Sequence, residues 1–404
     1  MNYLVRGSAQ TPVAFRAGRD IDREATLGYV PGSVILGGLA ASHAQMRPHR
    51  RDEFAEFFLR ERVIFGNLYP AKFSKSVPAL HPLDQEASPV RPLPRTARSC
   101  KRFGGFKFHA DSDADERHGV WDSLVIWAAF ALCGERNPAV FGALRECSCG
   151  EPFDSFSGFC RRGSDAGQWG AATASSGIVT RTGISRATGA VAMGVLYSRE
   201  FLHAGNDFYG EWSIADELAS DFNTFLADVS DGSVRVGHNR TRGFGKLAFT
   251  EGVRATSIDS AADIQARCIG FDAALRQAAG DDAHHAFYMA VTLAADCILS
   301  DRAGRYRLQM TADTLAEAWG ISGAELIYCN AVPRRVTGWN DRWGLPKADE
   351  WAIGMGSVFL FGLVSEPDWQ ALARAQEQGC GTHRSGGFGA VRISDQFHVE
   401  VHGA

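Results

Sequence analysis

Apolar residues recur at helical spacing along 218–229, where Leu218, Phe222, Phe225, Leu226 and Val229 line one face; Ser213, with Asp216 three residues on, gives a capping-box-like start. A second helix is expected over 368–378, because Pro367 sits near its start and Gly379 just past its end. An amphipathic stretch near 259–279 predicts a third, linking helix. Segments of β type follow the first two helices at Lys246 to Thr250 and Ala390 to Ser394, and Trp351 to Val364 reads as a strand ahead of the second. Short strands broken by helices predict an α+β fold built from small units of the ferredoxin-like kind.

Between each of these helices and its strand lies a glycine loop. Residues 237–245 read G-H-N-R-T-R-G-F-G and residues 381–389 read G-T-H-R-S-G-G-F-G, identical at five of nine positions. The unit of helix, Gly-Arg loop and strand therefore occurs twice. Glycine serves where the backbone takes positive φ or approaches another backbone closely. An arginine among such glycines can fork onto a phosphate while main-chain N–H groups complete an anion nest. The alternative is a tight turn with a solvated arginine.

The 404 residues carry 42 basic and 46 acidic side chains, a formal charge of -4, with 45% hydrophobic and 22% charged residues. That balance excludes a disordered or collagen-like chain and a wholly basic nucleic-acid coat, but leaves room for a local basic surface. No apolar run is long enough for a signal sequence or a membrane span, so the chain reads as soluble and cytoplasmic. Nine cysteines in such a setting point to buried thiols or a metal site rather than a disulfide framework. No P-loop, G-x-S-x-G, H-E-x-x-H or dinucleotide fingerprint occurs, which removes the commonest nucleotide, hydrolase and redox readings.

The G-x-x-x-x-R-G-F-G loop ahead of a strand resembles the glycine-rich loop of the RAMP superfamily, the ferredoxin-like RNA-binding subunits of CRISPR effector complexes. Y-V-P-G-S-V-I-L-G-G-L-A at 29–40 is similar to the family's turn into its first helix, and T-R-T-G-I-S-R-A-T-G-A-V-A-M-G-V-L-Y-S-R-E-F at 180–201 is similar to its hairpin, with Ser185 where Asp is usual. With V-T-G-W-N-D-R-W-G-L-P-K at 336–347 and G-S-V-F-L-F at 356–361, the chain most resembles the double-domain subunit of type III-D complexes that caps the crRNA at its 5′ handle. The resemblance implies two RAMP domains: an N-terminal one over 1–255, with a basic, cysteine-bearing insertion at 70–175, and a C-terminal one over 256–404. It implies crRNA between them, with a polymerase/cyclase-like large subunit and backbone RAMP subunits as partners and target RNA met indirectly. Anchoring rather than chemistry is then the expected role in antiviral defense.

The residues expected at RNA follow. Gly237, His238, Arg240, Arg242, Gly243, Phe244 and Gly245 form the first loop, and His383, Arg384, Gly387, Phe388 and Gly389 the second. Arg181 and Arg186 flank Gly183 in the hairpin and place cations along an RNA backbone. Ser33, behind Pro31 and Gly32, opens a helix either as a phosphate site or as an N-cap. Trp339, Asn340, Arg342, Trp343 and Lys347 interleave aromatics with donors and cations, which suits stacking on single-stranded nucleotides; the tryptophans suit a core equally. From Pro89 to Ala110, Arg91, Arg95, Arg98, Lys101, Arg102 and Lys107 form an acid-free basic run, either an RNA surface or a solvated face.

Cys147, Cys149 and Cys160 crowd a turn-rich segment, and Cys100 lies beside Lys101. Thiolates gathered in an insertion without a core of its own suggest structural zinc, which the resemblance also implies. The expected ligands are Cys100, Cys147 and Cys149, with His118 or Cys160 as the fourth; Cys133, Cys268, Cys297, Cys329 and Cys380 read as ordinary thiols. The rival reading from another class is an endoribonuclease. It would process crRNA precursors through His238 or His383, or cut target RNA through Asp111, Asp113, Asp115 or Asp122 near Mg²⁺.

Overall fold

The computed structural model describes residues 1–17, 23–73, 89–107, 117–134, 147–163, 168–185, 187–229, 234–255, 259–340 and 343–401. Two antiparallel sheets, each from one half of the chain, form its frame. In the first, strands Val234–Arg235, Lys246–Ala255, Asn2–Ala9, Asp207–Ile214 and Val63–Phe65 lie in that order, and Tyr69–Pro70 also pairs with Asp207–Ile214. Burial alternates strictly along Asn2–Ala9, so one face is apolar. Helices Gly32–Met46, Arg51–Phe58 and Ala219–Val229 cover that face, packing Ile35, Leu39, Phe57, Phe222 and Phe225 against Val5, Phe65, Trp212 and Phe249.

The second sheet runs Ala324–Asn330, Val358–Leu363, Phe287–Leu293, Val391–Ile393. Every residue of Phe287–Leu293 is buried, because this sheet is covered on both faces. Helices Ala312–Trp319 and Trp369–Gln378 cover one face, with Leu315, Leu372 and Ala375 against Met289 and Val291. The Ala261–Ala279 helix covers the other, with Phe271 and Leu275 against Tyr288, Ala290 and Leu360, and helix Leu124–Cys133 joins it there. The segment expected as a link is thus a layer of the second body, opened by a capping box of Ser260 and Asp263.

Three sequence expectations are corrected. Ser213 belongs to strand Asp207–Ile214, and the helix it was expected to cap begins at Ala219, after a 3₁₀ turn at Asp216–Leu218. The stretch 351–364 is two strands, Glu350–Ile353 and Val358–Leu363, broken at Gly354 and Gly356. The insertion is not coreless. It carries a sheet of Lys72–Phe73, Trp169–Thr173, Phe159–Arg162 and Arg91–Pro92, and a second of Val120–Asp122, Ala97–Cys100 and Phe153–Ser155. Leu93, Phe106, Val120, Cys160 and Trp169 pack around Phe397 from the far end of the chain.

Buried ion pairs join the halves. The Arg392 guanidinium donates to Glu211 at 2.6 Å and to Asp259 at 2.8 Å, while Arg267 donates to Asp259 at 2.7 Å. Arg91 of the insertion pairs with Asp395 at 2.5 Å. Among the described residues, no helix is long and apolar enough to cross a membrane.

Candidate nucleic-acid interface and metal centre

The two glycine loops are conformational twins. Gly237, Asn239, Gly243 and Gly245 have φ of 72°, 62°, 85° and 91°; the equivalent Gly381, His383, Gly387 and Gly389 have 80°, 58°, 81° and 68°. Their backbone bonds also match. Val236 N–H donates to Gly245 O at 2.8 Å and Cys380 N–H to Gly389 O at 2.9 Å; His238 N–H donates to Ala14 O and Thr382 N–H to Ile298 O, both at 3.0 Å. A Cβ on Gly245 would lie 2.3 Å from Val236 O, and one on Gly389 would lie 1.7 Å from Cys380 O. Close backbone approach together with positive φ therefore dictates glycine at these positions.

Each loop sits at the base of an antiparallel ribbon, to which Arg23–Glu24 adds a short parallel strand in the first repeat. The first ribbon pairs Ser176–Ile184 with Val191–Leu202. The second pairs Pro333–Val336 with Glu350–Ile353 and continues through Trp339–Asn340 and Leu345–Pro346. Val13 bridges to Leu202 and Cys297 to Ile353, so the roots of the ribbons are equivalent too. In both repeats the left-handed residue ties loop to ribbon. Asn239 Oδ1 accepts from the Arg199 guanidinium, and His383 Nε2 lies 3.1 Å from the Glu350 carboxylate. The Phe244 ring adds an edge contact to Phe201, with centroids 5.8 Å apart. Sequence reasoning missed Arg199, Asn239 and Glu350. The available signal was the tolerance of Asn and His for left-handed backbone at matching repeat positions.

The expected RNA residues separate by exposure. His238, Arg242 and Gly243 are exposed, and Arg181 is half-buried on the first ribbon opposite Tyr197. Arg240 is half-buried against Gly245. Its equivalent, Arg384, turns into its own loop and donates to Phe388 O, where burial lowers its pKa below the ordinary guanidinium value against the pull of Cys380 and Cys297. The loop arginine thus ties down its own turn, and the outward cation of the first loop is Arg242, where the second has Gly386. At the tip of the second ribbon Trp339 and Trp343 are 54% and 74% exposed. Trp343 N–H donates to Asn340 Oδ1, and Lys347 is exposed beside them. Arg186 and Arg342 lie outside the described residues.

Ser33 is exposed in the first turn of its helix, but the N-cap is Pro31, with no side-chain cap bond. Asn67 Oδ1 instead accepts from Gly32 N–H at 2.8 Å. The second glycine loop packs directly on this turn: a Cβ on Gly386 would lie 3.3 Å from Ser33 Cβ, and one on Gly387 would lie 2.6 Å from Phe65 O. The P-G-S turn of the first body and the glycine loop of the second therefore form one junction.

Within the basic run of the insertion, Arg91 pairs with Asp395 and Arg98 donates to Ser155, while Arg95, Lys101, Arg102 and Lys107 are exposed, Arg102 lying over the Phe103 ring. Asp122 is fully buried against His398, away from any surface where RNA could be cut, while Asp111, Asp113 and Asp115 lie outside the described residues.

Cys100, His118, Cys147 and Cys149 converge, with one donor atom from each lying within 4.8 Å of the others. His118 Nδ1 is 3.1 Å from Cys147 Sγ, and Cys100 Sγ is 3.7 Å from Cys149 Sγ. Two sulfurs on one tetrahedral zinc are about 3.8 Å apart, given a Zn–S bond of about 2.3 Å. The narrow C-x-C spacing works because Cys147–Gly150 is a tight turn: Gly150 has φ 79°, its N–H donates to Cys147 O, and Cys147 N–H donates to Glu151 O. Burial raises the Cys147 thiol, but the Cys149 N–H and the His118 ring bring it down to about 6, as a metal-binding thiolate needs. Cys160 lies in the insertion core, fully buried, and burial pushes its thiol well up. The donor set and spacing fit a closed four-ligand ion.

No family model and no curated protein matches the sequence. Solved structures do match. A chain in the cryo-EM structure of the Type III-B Cmr-beta bound to cognate target RNA and AMPPnP, state 1, is 12% identical with a TM-score of 0.41, over 88% of this chain and 86% of that one. A chain of the Type III-B Cmr-beta bound to cognate target RNA is 11% identical with a TM-score of 0.39, over 88% and 86%. A chain of the apo state is 11% identical with a TM-score of 0.32, over 63% of this chain and 98% of that one.

Proposed function

We propose that this chain is a crRNA-binding subunit of a type III, III-D-like CRISPR effector complex, holding the crRNA 5′ handle and bridging the large subunit to backbone RAMP subunits. The observation that carries the reading is the twofold pairing of a glycine loop with an exposed ribbon, latched through Asn239 in one repeat and His383 in the other. Each body runs β-α-β-β-α-β with its strands ordered second, third, first, fourth, which supports reading it as a ferredoxin-like unit; in the first body Val234–Arg235 adds an edge strand. That supports two RAMP domains. Arg242 and Arg181 offer phosphate contacts, and Trp339 and Trp343 offer stacking faces for unpaired bases. In the insertion, Cys100, His118, Cys147 and Cys149 would hold zinc; with all four positions filled by protein, the ion supplies cross-linking rather than catalysis.

The test is co-expression with a crRNA array, purification at moderate salt and sequencing of the bound RNA. Recovery of crRNA with one common 5′ end, lost in an Arg242→Glu/Trp343→Ala variant, is the expected result. Absence of RNA both from the chain alone and from co-expression with its whole operon would reject the reading. Appearance of cut RNA that depends on His383 would favour the endoribonuclease instead.

A further inference from the structure

The equivalence of the two repeats stops at one pair of side chains. Beneath the first loop the space between ribbon root and loop base is filled by Val13 and Val236, 0% and 1% exposed. At the same two positions of the second repeat stand Cys297 and Cys380, 0% and 4% exposed, with Sγ atoms 3.2 Å apart. The first repeat shows that valines suffice to pack this spot, so the thiols are not required by the fold. Cys297 is anchored to the ribbon through its bridge to Ile353, and Cys380 to the loop through its bond to Gly389 O. A hydrogen bond from Cys297, opposed by burial and helped by Arg384, holds the Cys380 thiol below its ordinary value, while Cys297 is pushed well above. Cys380 is thus the more acidic thiol of the pair.

We propose that Cys297 and Cys380 are a redox-active dithiol that exchanges with small-molecule disulfides of the glutathione type, forming an internal disulfide between the root of the second ribbon and the second glycine loop. Cys380 loses its proton and, as the thiolate, attacks one sulfur of the small disulfide, whose S–S bond breaks and releases one thiolate. Cys297 then loses its proton and attacks the Cys380 sulfur of the mixed disulfide, expelling the second small thiolate. Two protein thiols are oxidised, one small disulfide is reduced to two thiols, and those thiols carry the two protons. Cys380 adjoins the exposed stretch Gly381–His383, so lifting that turn opens the path to its sulfur. The product fixes the ribbon against the loop, independently of whether RNA is the ligand.

The full chain is incubated with oxidised glutathione, quenched with an alkylating reagent, digested and mapped by mass spectrometry. A linked Cys297–Cys380 peptide and severalfold slower proteolysis of residues 336–350 are expected. Cys297→Val should leave a glutathione adduct on Cys380, whereas Cys380→Val should leave Cys297 unmodified. The double valine variant copies the first repeat, should keep the wild-type melting temperature to within a few degrees, and should lose the protection. Recovery of both thiols alkylated and unlinked from the wild-type chain, or links that form only after denaturation, would overturn the proposal without touching the RNA reading.

Discussion

His398 Nδ1 lies 2.7 Å from Oδ2 of Asp122, and its Nε2 lies 2.7 Å from Thr292 Oγ1, in a spot where both the imidazole and the carboxylate are wholly buried. The contact ties the insertion to the end of the chain and to the central strand of the second sheet. Burial alone lowers the imidazole pKa, but Asp122 and Asp395 outweigh it, with Arg91 opposing, and the net shift is upward. A histidine charged in the fold and titrating near about 6.5 when unfolded contributes fully below that pH; the contribution disappears as pH rises through the higher folded value. The melting temperature of the chain should therefore fall as pH is raised above about 6.5. Asp122→Asn should cost about 3 kcal/mol on the acid side and flatten that slope. Thermal melts of both proteins across this range check it, and parallel slopes would count against a charged His398.

Positive φ and backbone proximity make separable demands on the loop glycines. Gly243 has φ 85° with nothing within 4 Å of a built Cβ, so Gly243→Ala should cost only the left-handed penalty of about 1–2 kcal/mol. Gly245→Ala adds a clash with Val236 O at 2.3 Å and should cost clearly more, as should Gly389→Ala against Cys380 O at 1.7 Å. Urea titrations of the three variants give the ranking.

These glycines mark how far local sequence reaches. The repeat was legible because its chemistry is local: glycine at three of the four positive-φ positions of each loop, and Phe and Arg at fixed offsets. The latch was not, because Asn239 and His383 differ in identity and use opposite partners, Arg199 and Glu350, that only the ribbons bring near. The three cysteines of the candidate metal cluster, with His118 or Cys160 as the fourth member, could be named from the sequence and the resemblance. That His118 rather than Cys160 lies with them is visible only in the fold, in which strand Phe159–Arg162 carries Cys160 into a core completed by Phe397. Likewise the 259–279 stretch showed its amphipathic pattern, but not that both its neighbours, the second sheet and helix Leu124–Cys133, would bury it.

For the metal centre, zinc analysis of the purified chain should find about one ion per molecule. Cys147→Ala should abolish it, because three ligands no longer close the site, whereas Cys160→Ala should retain it. Chelation should lower the melting temperature of the wild-type chain and leave that of Cys147→Ala unchanged. Zinc lost equally in both variants would point to global unfolding or to a different ligand set.

The outward and inward arginines of the two loops give the sharpest test of the RNA interface. Each phosphate neutralised on a single strand contributes about 0.7 to the slope of log affinity against log salt. Arg242 faces solvent, so Arg242→Ala should weaken crRNA binding, reduce that slope by about 0.7 and leave the melting temperature nearly unchanged. Arg384 is held inside its loop by Phe388 O, so Arg384→Ala should lower the melting temperature first, with a salt slope like that of the wild type in the folded fraction. Trp343→Ala, removing a side chain 74% exposed, should weaken binding by about 1–3 kcal/mol at every salt concentration without altering the slope, the signature of base stacking rather than charge. Filter binding across a salt series, paired with melts of each variant, reads all three effects. A slope that responds to Arg384 but not to Arg242 would place the phosphate path on the second loop instead of the first.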